Sequence, residues 1–455
     1  MMRIKRTSYC FIATFILSWI FLLYFTFANR PVNVTVAGNG GGGGGVVVDL
    51  GNEGIIDNNL QKLEEGIDRE FKRNKDMLNN LHRYLDSRKR VAEKEEMMVV
   101  VDGNGNGGKA KKGIVIPVLV FACNRVSVSR CLDQLIQYRP DPDQFPIIVS
   151  QDCEHPETTE VINRYVPQVS LIRQPDQKEI EVPPKEKKFK GYFKIARHYG
   201  WALSEIFFNF NFDAVIIVED DLDIAPDFFE YFLGTYPLLQ KDPTLWCISA
   251  WNDNGKTGLI DPKAADVLYR TDFFPGLGWM MLKSLWTELQ PKWPKSYWDD
   301  WIRQPQQRKE RACIRPEISR TRTFGKIGVS NGLFFEKHLK YIKLNEQFVP
   351  FTKTNLSNLT RDAYDDQFMR KVYQSPVVSY QELKEGRVAR DGPVRIVYYN
   401  KDAFKRTAKL LGLMDDFRSG VPRTAYRGVI SFSYKERPVF LAPNLNWKGY
   451  DLGWS

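Results

Sequence analysis

The sequence lacks any block of charge of a single sign. Its 455 residues include 65 Lys and Arg and 55 Asp and Glu, which gives a net charge of +10, and both signs are interspersed along the chain. Nucleic-acid-binding proteins gather basic residues on one face or segment, so this pattern argues against nucleic acid as a partner. The small positive surplus could assist an anionic substrate such as a nucleotide diphosphate, although an ordinary solvated surface is the simpler explanation.

One long apolar run lies near the N-terminus, at residues 10–28, with Arg3, Lys5 and Arg6 before it. A helix of this length, at 1.5 Å per residue, is close to the ~30 Å of a bilayer core. The preceding positive charges predict a cytoplasmic tail (residues 1–9), a transmembrane anchor and a lumenal remainder. A cleaved signal peptide is the alternative, but the length of the run and its bulky aromatic residues argue against it.

Zinc-type CxxC pairs are also absent, so the six cysteines predict no zinc site. A lumenal chain can form disulfides. Cys10 lies in the predicted anchor, and at least one of the other five must be free or pair between chains: Cys123, Cys131, Cys153, Cys247 and Cys313.

Residues 29–113 read as a stem because two glycine-rich stretches flank a charged segment. Apolar residues at three- and four-residue steps between 60 and 85 predict an amphipathic helix there. This helix could form a short coiled coil and hold an oligomer together, or it could be a solvated spacer.

From residue 114 the pattern changes to alternating strands and helices. Strands are predicted at 114–122, 145–150, 169–173 and 214–218, and helices at 128–138 and 194–208. This order predicts an α/β domain over 114–325 with a doubly wound, largely parallel sheet, and a ligand site beyond the carboxyl ends of its strands. A flexible loop and linker (326–361) and a small C-terminal α+β domain (362–455) should follow, the latter with strands at 394–399 and 429–434 and a helix at 403–414.

Three carboxylates, Glu219, Asp220 and Asp221, directly follow the predicted strand at 214–218. Crowded carboxylates resist ionisation unless a cation is present, and carboxylate and diphosphate oxygens suit Mg²⁺ or Mn²⁺. Acidic residues that merely end a strand and cap a helix are the alternative. Three in succession favour a metal and nucleotide site.

A second acidic pair, Asp299 and Asp300, lies between Trp298 and Trp301. Aromatic rings suit the apolar faces of sugars, and they can desolvate a carboxylate and raise its pKa toward that of a general base. A helix cap explains the same residues equally well.

Several longer motifs carry a resemblance to a known family. They lie at residues 194–199, 218–221, 251–255, 272–279 and 291–301, and together they resemble the N-acetylglucosaminyltransferase I family from about residue 114 to the C-terminus. Asn124 is a departure, since animal members carry Asp beside the nucleotide-contacting Arg.

The resemblance implies a GT-A fold, UDP-N-acetylglucosamine as donor, Mn²⁺ as cofactor and an oligomannose N-glycan as acceptor. The reaction would be inverting transfer to the 2-hydroxyl of the α1,3-arm mannose, which begins hybrid and complex glycans. Carried over by position, the resemblance implies Asp299 as catalytic base, Asp221 as metal ligand, and six donor-binding residues: Arg125, Asp152, His198, Glu219, Asp220 and Ser330. The expected location is the Golgi membrane, with single-pass type II topology and a lumenal catalytic domain.

Two disulfides are predicted. Cys123 and Cys153 each lie just past the carboxyl end of a neighbouring predicted parallel strand, which would bring their Cα atoms within bridging distance. Cys247 and Cys313 are predicted as the second pair, and Cys131 as a free thiol.

Three other functions remain open on the sequence. The related enzyme that adds N-acetylglucosamine to O-linked mannose on proteins is the closest alternative. A membrane-anchored metal-dependent hydrolase would use the same acidic cluster without requiring mannose. A noncatalytic glycan-binding module would bind mannose glycans and release no UDP.

Overall fold

The structure of the protein is a computed structural model, which describes residues 61, 64–66, 113–326, 328, 332–388 and 391–454. The predicted anchor (10–28), nearly all of the predicted coiled-coil segment and Ser330 lie outside the described residues. Of residues 1–78, the described residues Gln61 and Glu64 to Gly66 are helical. None of the described helices combines the length and apolar character needed to cross a bilayer.

The strands of the described region are β1 to β15 in chain order: Val118–Ala122, Ile147–Gln151, Val169–Arg173, Ala214–Glu219, Leu222–Ile224, Leu245–Ser249, Leu268–Thr271, Trp279–Leu282, Ala312–Pro316, Thr321–Thr323, Val394–Tyr398, Phe417–Arg418, Val421–Pro422, Ile430–Tyr434 and Arg437–Pro443. Helices from residue 113 onward are α1 to α11: Val128–Tyr138, Pro156–Asn163, Lys190–Ser204, Phe228–Lys241, Lys283–Leu289, Trp298–Ile302, Pro305–Arg308, Leu333–Lys337, Arg361–Gln374, Tyr380–Glu385 and Lys401–Leu411.

Within the described residues, eight strands form one mixed sheet in the order β3-β2-β1-β4-β8-β6-β9-β7. The first four are mutually parallel, as predicted. The sheet is largely parallel, as predicted, but not wholly so. β6 and β9 run parallel to each other and in the same direction as the first four strands, whereas β8 runs antiparallel to both β4 and β6, and β7 antiparallel to β9. The antiparallel strands β7 and β8 were not predicted, because strands of four residues are too short to show a distinguishing period.

Both faces of this sheet are covered, as the alternation along β1 shows. Val118, Val120 and Ala122 enter one core cluster, while Leu119 and Phe121 enter the other. Successive side chains of a strand point to opposite faces, so an uninterrupted apolar strand is stable only between two layers. The parallel strands are therefore packed on both faces, and their carboxyl ends form a rigid edge of the sheet.

Two disulfides brace the sheet as predicted. Cys123 and Cys153 join the ends of β1 and β2 with a Cα–Cα distance of 5.3 Å. Cys247 and Cys313 are register partners on β6 and β9, with a Cα–Cα distance of 4.7 Å. Cys131 is a free, buried thiol.

A second sheet lies near the C-terminus in the order β11-β15-β14. The predicted strands and helix there correspond to β11, β14 and α11, with ends shifted by at most three residues, whereas β15 was not predicted. Asn400 caps α11, since its side-chain oxygen accepts a 2.8 Å hydrogen bond from the Ala403 N–H. The core under this sheet also takes in Leu259 and Phe273 from the larger sheet region.

Candidate active site

The acidic segment lies at the carboxyl end of β4, where the sequence predicted it. β4 is parallel to β1, so the loop after β1 brings Arg125 to the same edge. Arg125 Nη1 donates to Asp220 Oδ1 at 2.8 Å and to Asp221 Oδ2 at 2.7 Å. One guanidinium therefore holds two of the three carboxylates together.

Burial disfavours the ionised forms of the three carboxylates in this segment. Burial, reinforced by the charge of Asp221, raises the pKa of Glu219 to about 7. Burial also raises the pKa of Asp220 to about 6 and that of Asp221, against the opposing effect of Arg125. Because desolvation penalises three adjacent negative charges, a divalent cation at these oxygens would restore their ionised forms.

A glycine-containing segment packs directly against the acidic residues. The Phe324 N–H donates to the Asp221 carbonyl at 2.9 Å. A Cβ added at Gly325 would lie 1.9 Å from Asp221 Oδ2, and one at Gly328 would lie 3.0 Å from Arg125 Nη2. Only residues without a side chain allow this close approach.

Asp152 and His198 lie at the neighbouring part of the same edge. Asp152, directly after β2, accepts hydrogen bonds from the Cys153 N–H at 2.8 Å and Gln177 Nε2 at 3.0 Å. His198 on α3 is buried, with Nε2 2.7 Å from Ser150 Oγ. Burial lowers the pKa of His198 to about 4 despite the opposing charge of Asp152, so the imidazole is neutral near pH 7.

Asp299 lies on the short helix α6, which Tyr297 precedes in a left-handed conformation at φ 48°. Arg303 Nη1, one turn later, contacts Asp299 Oδ2 at 2.8 Å and Asp300 Oδ1 at 3.2 Å. The two carboxylate side chains are exposed to a similar extent, 43% and 44%. Neither side chain caps the helix by a hydrogen bond.

One cleft joins the two acidic regions. Glu219 and Asp299, 80 positions apart in the chain, both contribute to its wall, and the remaining lining is largely aromatic and glycine-rich: Tyr192, Ile195, Tyr199, Ile217, Phe274, Pro275, Gly276, Leu277, Gly278, Trp279, Tyr297, Trp298 and Arg303. The structure thus brings together the two carboxylate motifs that the sequence singled out separately.

Tyr199 links the two motifs and was missed by the sequence reasoning. Its hydroxyl donates to Glu219 Oε1 at 2.9 Å. Its ring stacks on Phe121 at 3.8 Å and on Trp298 at 4.4 Å between centroids. The helical pattern signals only that Tyr199 is buried, and nothing in the sequence indicates its partners.

Asp223 is a second residue that the sequence reasoning did not assign. Arg130 binds both of its oxygens at 2.6 Å, and Arg322 binds Oδ2 at 2.9 Å. These bonds tie α1, β5 and β10 together beneath the acidic segment. Across the part of the chain that the structure describes, no three His, Cys, Asp or Glu side chains converge as a protein-only metal cluster.

Two solved structures show a partial likeness to this chain. The mannosyltransferase PcManGT from Pyrobaculum calidifontis, solved with GDP-Man and Mn²⁺, aligns at 15% identity and a TM-score of 0.26, over 46% of this chain and 53% of that chain. TarS from S. aureus aligns at 13% identity and a TM-score of 0.29, over 44% and 58%. Scores this low do not establish a shared topology, so neither alignment bears on the ligands of this chain.

A sequence relative is much more similar. The alpha-1,3-mannosyl-glycoprotein 2-beta-N-acetylglucosaminyltransferase of Arabidopsis thaliana is 40% identical over 333 residues, which is 72% of this chain and 73% of the relative. The sequence model of the GNT-I family matches residues 11–454, a span that includes the acidic segment, the Asp299 helix and the C-terminal sheet. Matched over nearly its whole length, this chain belongs to the GNT-I family.

Proposed function

We propose that this protein transfers N-acetylglucosamine from UDP-N-acetylglucosamine to the 2-hydroxyl of the α1,3-arm mannose of oligomannose N-glycans, and so begins hybrid and complex N-glycans. The observation that carries the proposal is the single cleft shared by Glu219 and Asp299. The family match and the activity named for the Arabidopsis relative support the sugar and the acceptor.

The donor would bind along the edge formed by β1, β2 and β4, in a GT-A type arrangement. Arg125, Asp152, His198 and Asp220 would bind the nucleotide, and Glu219 the donor sugar. Ser330, the remaining predicted donor residue, lies outside the described residues. Since His198 is neutral and buried, it would serve as a hydrogen-bonding group rather than a charge.

Asp221 would hold Mn²⁺. The residues fit a hard cation, because the segment offers carboxylate oxygens. Burial makes their ionised forms costly, and a bound cation would offset that cost. When bound, the ion offsets negative charge on the leaving diphosphate. With no protein-only cluster among the described residues, the diphosphate oxygens would complete the coordination.

Asp299 would act as general base on the acceptor side. Arg303 orients its Oδ2 at 2.8 Å, while Oδ1 forms no hydrogen bond within the described residues and can accept a proton. In an inverting displacement, the mannose 2-hydroxyl oxygen attacks C1 of the donor sugar as its proton passes to this carboxylate, and the bond from C1 to the diphosphate breaks.

Asp300 offers a matched control for this role, since it has the same exposure and the same Arg303 partner but does not line the cleft. Asp299→Asn should lower the transfer rate by roughly a hundred- to ten-thousandfold with donor affinity retained, and Asp300→Asn should stay close to the parent protein. The measurements are transfer rate, UDP-sugar affinity by calorimetry and thermal unfolding. Near-normal transfer by Asp299→Asn would exclude the base role.

The acceptor can be tested with three parallel assays of UDP release. Release that requires an oligomannose N-glycan supports the proposal. Equal or faster release with an O-mannosyl peptide would favour the related O-mannose enzyme. Release that needs no acceptor would indicate a hydrolase, and binding of glycan without any release would indicate a noncatalytic module.

The proposed location is the Golgi membrane, with residues 10–28 as a type II anchor and the catalytic domain in the lumen. The apolar run and the positive residues before it support this topology. Protease protection in sealed Golgi vesicles should leave the C-terminal portion intact until detergent is added. Sedimentation of the full chain, with and without residues 29–113, would test whether the stem forms an oligomer.

A further inference from the structure

A second pocket lies in the C-terminal region, outside the cleft described above. It is lined by aromatic rings together with amide, ammonium and carboxylate side chains: Tyr398, Tyr399, Gly420, Pro422, Pro443, Asn444, Asn446, Trp447, Lys448, Gly449, Tyr450, Asp451 and Trp454. Its walls come from the end of β11 and the residue after it, the β12–β13 hairpin, and the end of β15 with the residues that follow it. The mechanism proposed above uses none of them.

The polar groups of this pocket are only partly satisfied by the protein. Asn444 Oδ1 accepts from the Asn446 N–H at 2.9 Å, and Asp451 Oδ1 accepts from the Gly453 N–H at 2.8 Å. The Asn446 amide, the Trp447 indole N–H and the Tyr399 hydroxyl form no hydrogen bond to another described residue. These groups remain available to a polar ligand.

The aromatic residues are held in place around these polar groups. Trp447 packs edge-to-face on Tyr450 at 5.1 Å, and a Cβ added at Gly428 would lie 3.2 Å from the Trp447 ring. The Tyr450 hydroxyl donates to Asp272 Oδ2 at 2.7 Å and accepts from the Gly428 N–H at 2.9 Å. Tyr399, by contrast, is 71% exposed.

Aromatic rings beside amides and single charges suit a neutral, hydroxyl-rich ring. Lys448 and Asp451 carry opposite charges, so the lining has no net preference for an anion or a cation. A sugar presents an apolar face for the rings and hydroxyls that both donate and accept hydrogen bonds, which matches the free amide and hydroxyl groups.

Two connections link this pocket to the catalytic cleft. Arg418 on the β12–β13 hairpin lies 3.6 Å from Asp300 Oδ2, and Gly420, two residues further on, lines the pocket. The Cα atoms of residues two apart lie within about 7 Å. Asp272, which binds Tyr450, precedes Phe273 and the cleft-lining Phe274. A branch of an acceptor bound at Asp299 that extends across the β12–β13 hairpin would therefore reach this pocket.

We propose that the pocket binds a mannose residue on the branch of the acceptor glycan that does not receive the sugar. The inference rests on the proposed function and adds to it a recognition site for the branched part of the acceptor. Minimal acceptors, which lack that branch, would bind only at Asp299.

The test uses the full chain with Tyr399→Ala, Trp447→Ala and the matched control Leu445→Ala. Leu445 is next to the pocket in sequence, is 77% exposed and does not line it. One measurement is the affinity for a branched oligomannose oligosaccharide without donor, by calorimetry. The other is the ratio of KM for that oligosaccharide to KM for a two-residue α1,3-linked mannoside.

Tyr399→Ala and Trp447→Ala should weaken oligosaccharide binding and raise the KM ratio by about tenfold each, the effect of losing one favourable contact. Leu445→Ala should match the parent protein. An unchanged affinity and ratio in Tyr399→Ala overturns the proposal, and this variant decides the matter if Trp447→Ala fails to fold.

The two proposals fail in different ways. If no mannoside is a transfer substrate, the proposed function fails, yet donor-free oligomannose binding that Tyr399→Ala weakens still supports the pocket. If transfer proceeds with both acceptors and the variants leave the KM ratio unchanged, the pocket proposal fails alone.

Discussion

The buried imidazole of His198 should make the stability of the protein depend on pH between about 6.5 and 4. Burial lowers its pKa from 6.5 to about 4, with Asp152 opposing the shift and Arg197 adding to it. Because the folded pKa lies below the unfolded value, the unfolded chain binds the proton more readily. The stability that the protein has with a neutral His198 imidazole is therefore present above pH 6.5 and is lost as the pH falls toward 4.

The expected magnitude follows from the two pKa values. At pH 5 the imidazole is almost fully protonated in the unfolded chain and mostly neutral in the folded one, which costs about 2 kcal/mol relative to pH 7.5. Below pH 4 the loss reaches its limit of about 3 kcal/mol. Replacing His198 with Gln removes the titrating group, so this component of the pH dependence should disappear.

Urea unfolding followed by tryptophan fluorescence measures this effect directly. The free energy of unfolding is determined for the parent protein and for His198→Gln at pH 7.5 and pH 5. Other titrating groups act on both proteins alike, so the difference between the two losses isolates His198. Equal losses in the two proteins would refute the assignment of a buried neutral imidazole, as would a larger loss in the variant.

Three further outcomes are expected. Asp221→Ala should weaken Mn²⁺-dependent donor binding, because it removes the proposed charged ligand; undiminished activity and metal response would contradict that role. Gly325→Ala should lower donor affinity, since its Cβ would fall 1.9 Å from Asp221 Oδ2 and displace that carboxylate; Gly113→Ala, at a site with no atom within 4 Å of the added Cβ and no left-handed backbone, controls for glycine loss in general. Asn400→Ala should lower the free energy of unfolding by about 1 kcal/mol through loss of the α11 cap, and an unchanged chemical-denaturation midpoint would show that the cap contributes nothing.

The first four strands of the sheet could be predicted because their sequence signal is local. β1 to β4 are short apolar runs, each followed by polar residues. Parallel strands end at a common edge, so Arg125, Asp152 and Glu219 were expected to lie near one another. The bridge between Cys123 and Cys153 was predicted on the same grounds and is present.

The strand order in the other half of the sheet could not be predicted in this way. β8 enters the sheet between β4 and β6 although β7 precedes it in the chain. Which strand occupies that place depends on complementary packing against both neighbours. A four-residue apolar run carries no information about its partners.

By itself, the sequence determined the acidic segment after β4, the aromatic context of Asp299 and membership of the GNT-I family, because these depend on residue types at fixed spacings. Only the tertiary structure decided that Glu219 and Asp299 face one cleft, that Tyr199 connects them, and that a separate aromatic pocket lies beyond the β12–β13 hairpin. The physical reason is that such contacts join residues far apart in the chain. Their distances depend on the packing of the layers and on chain crossings, which no local pattern encodes.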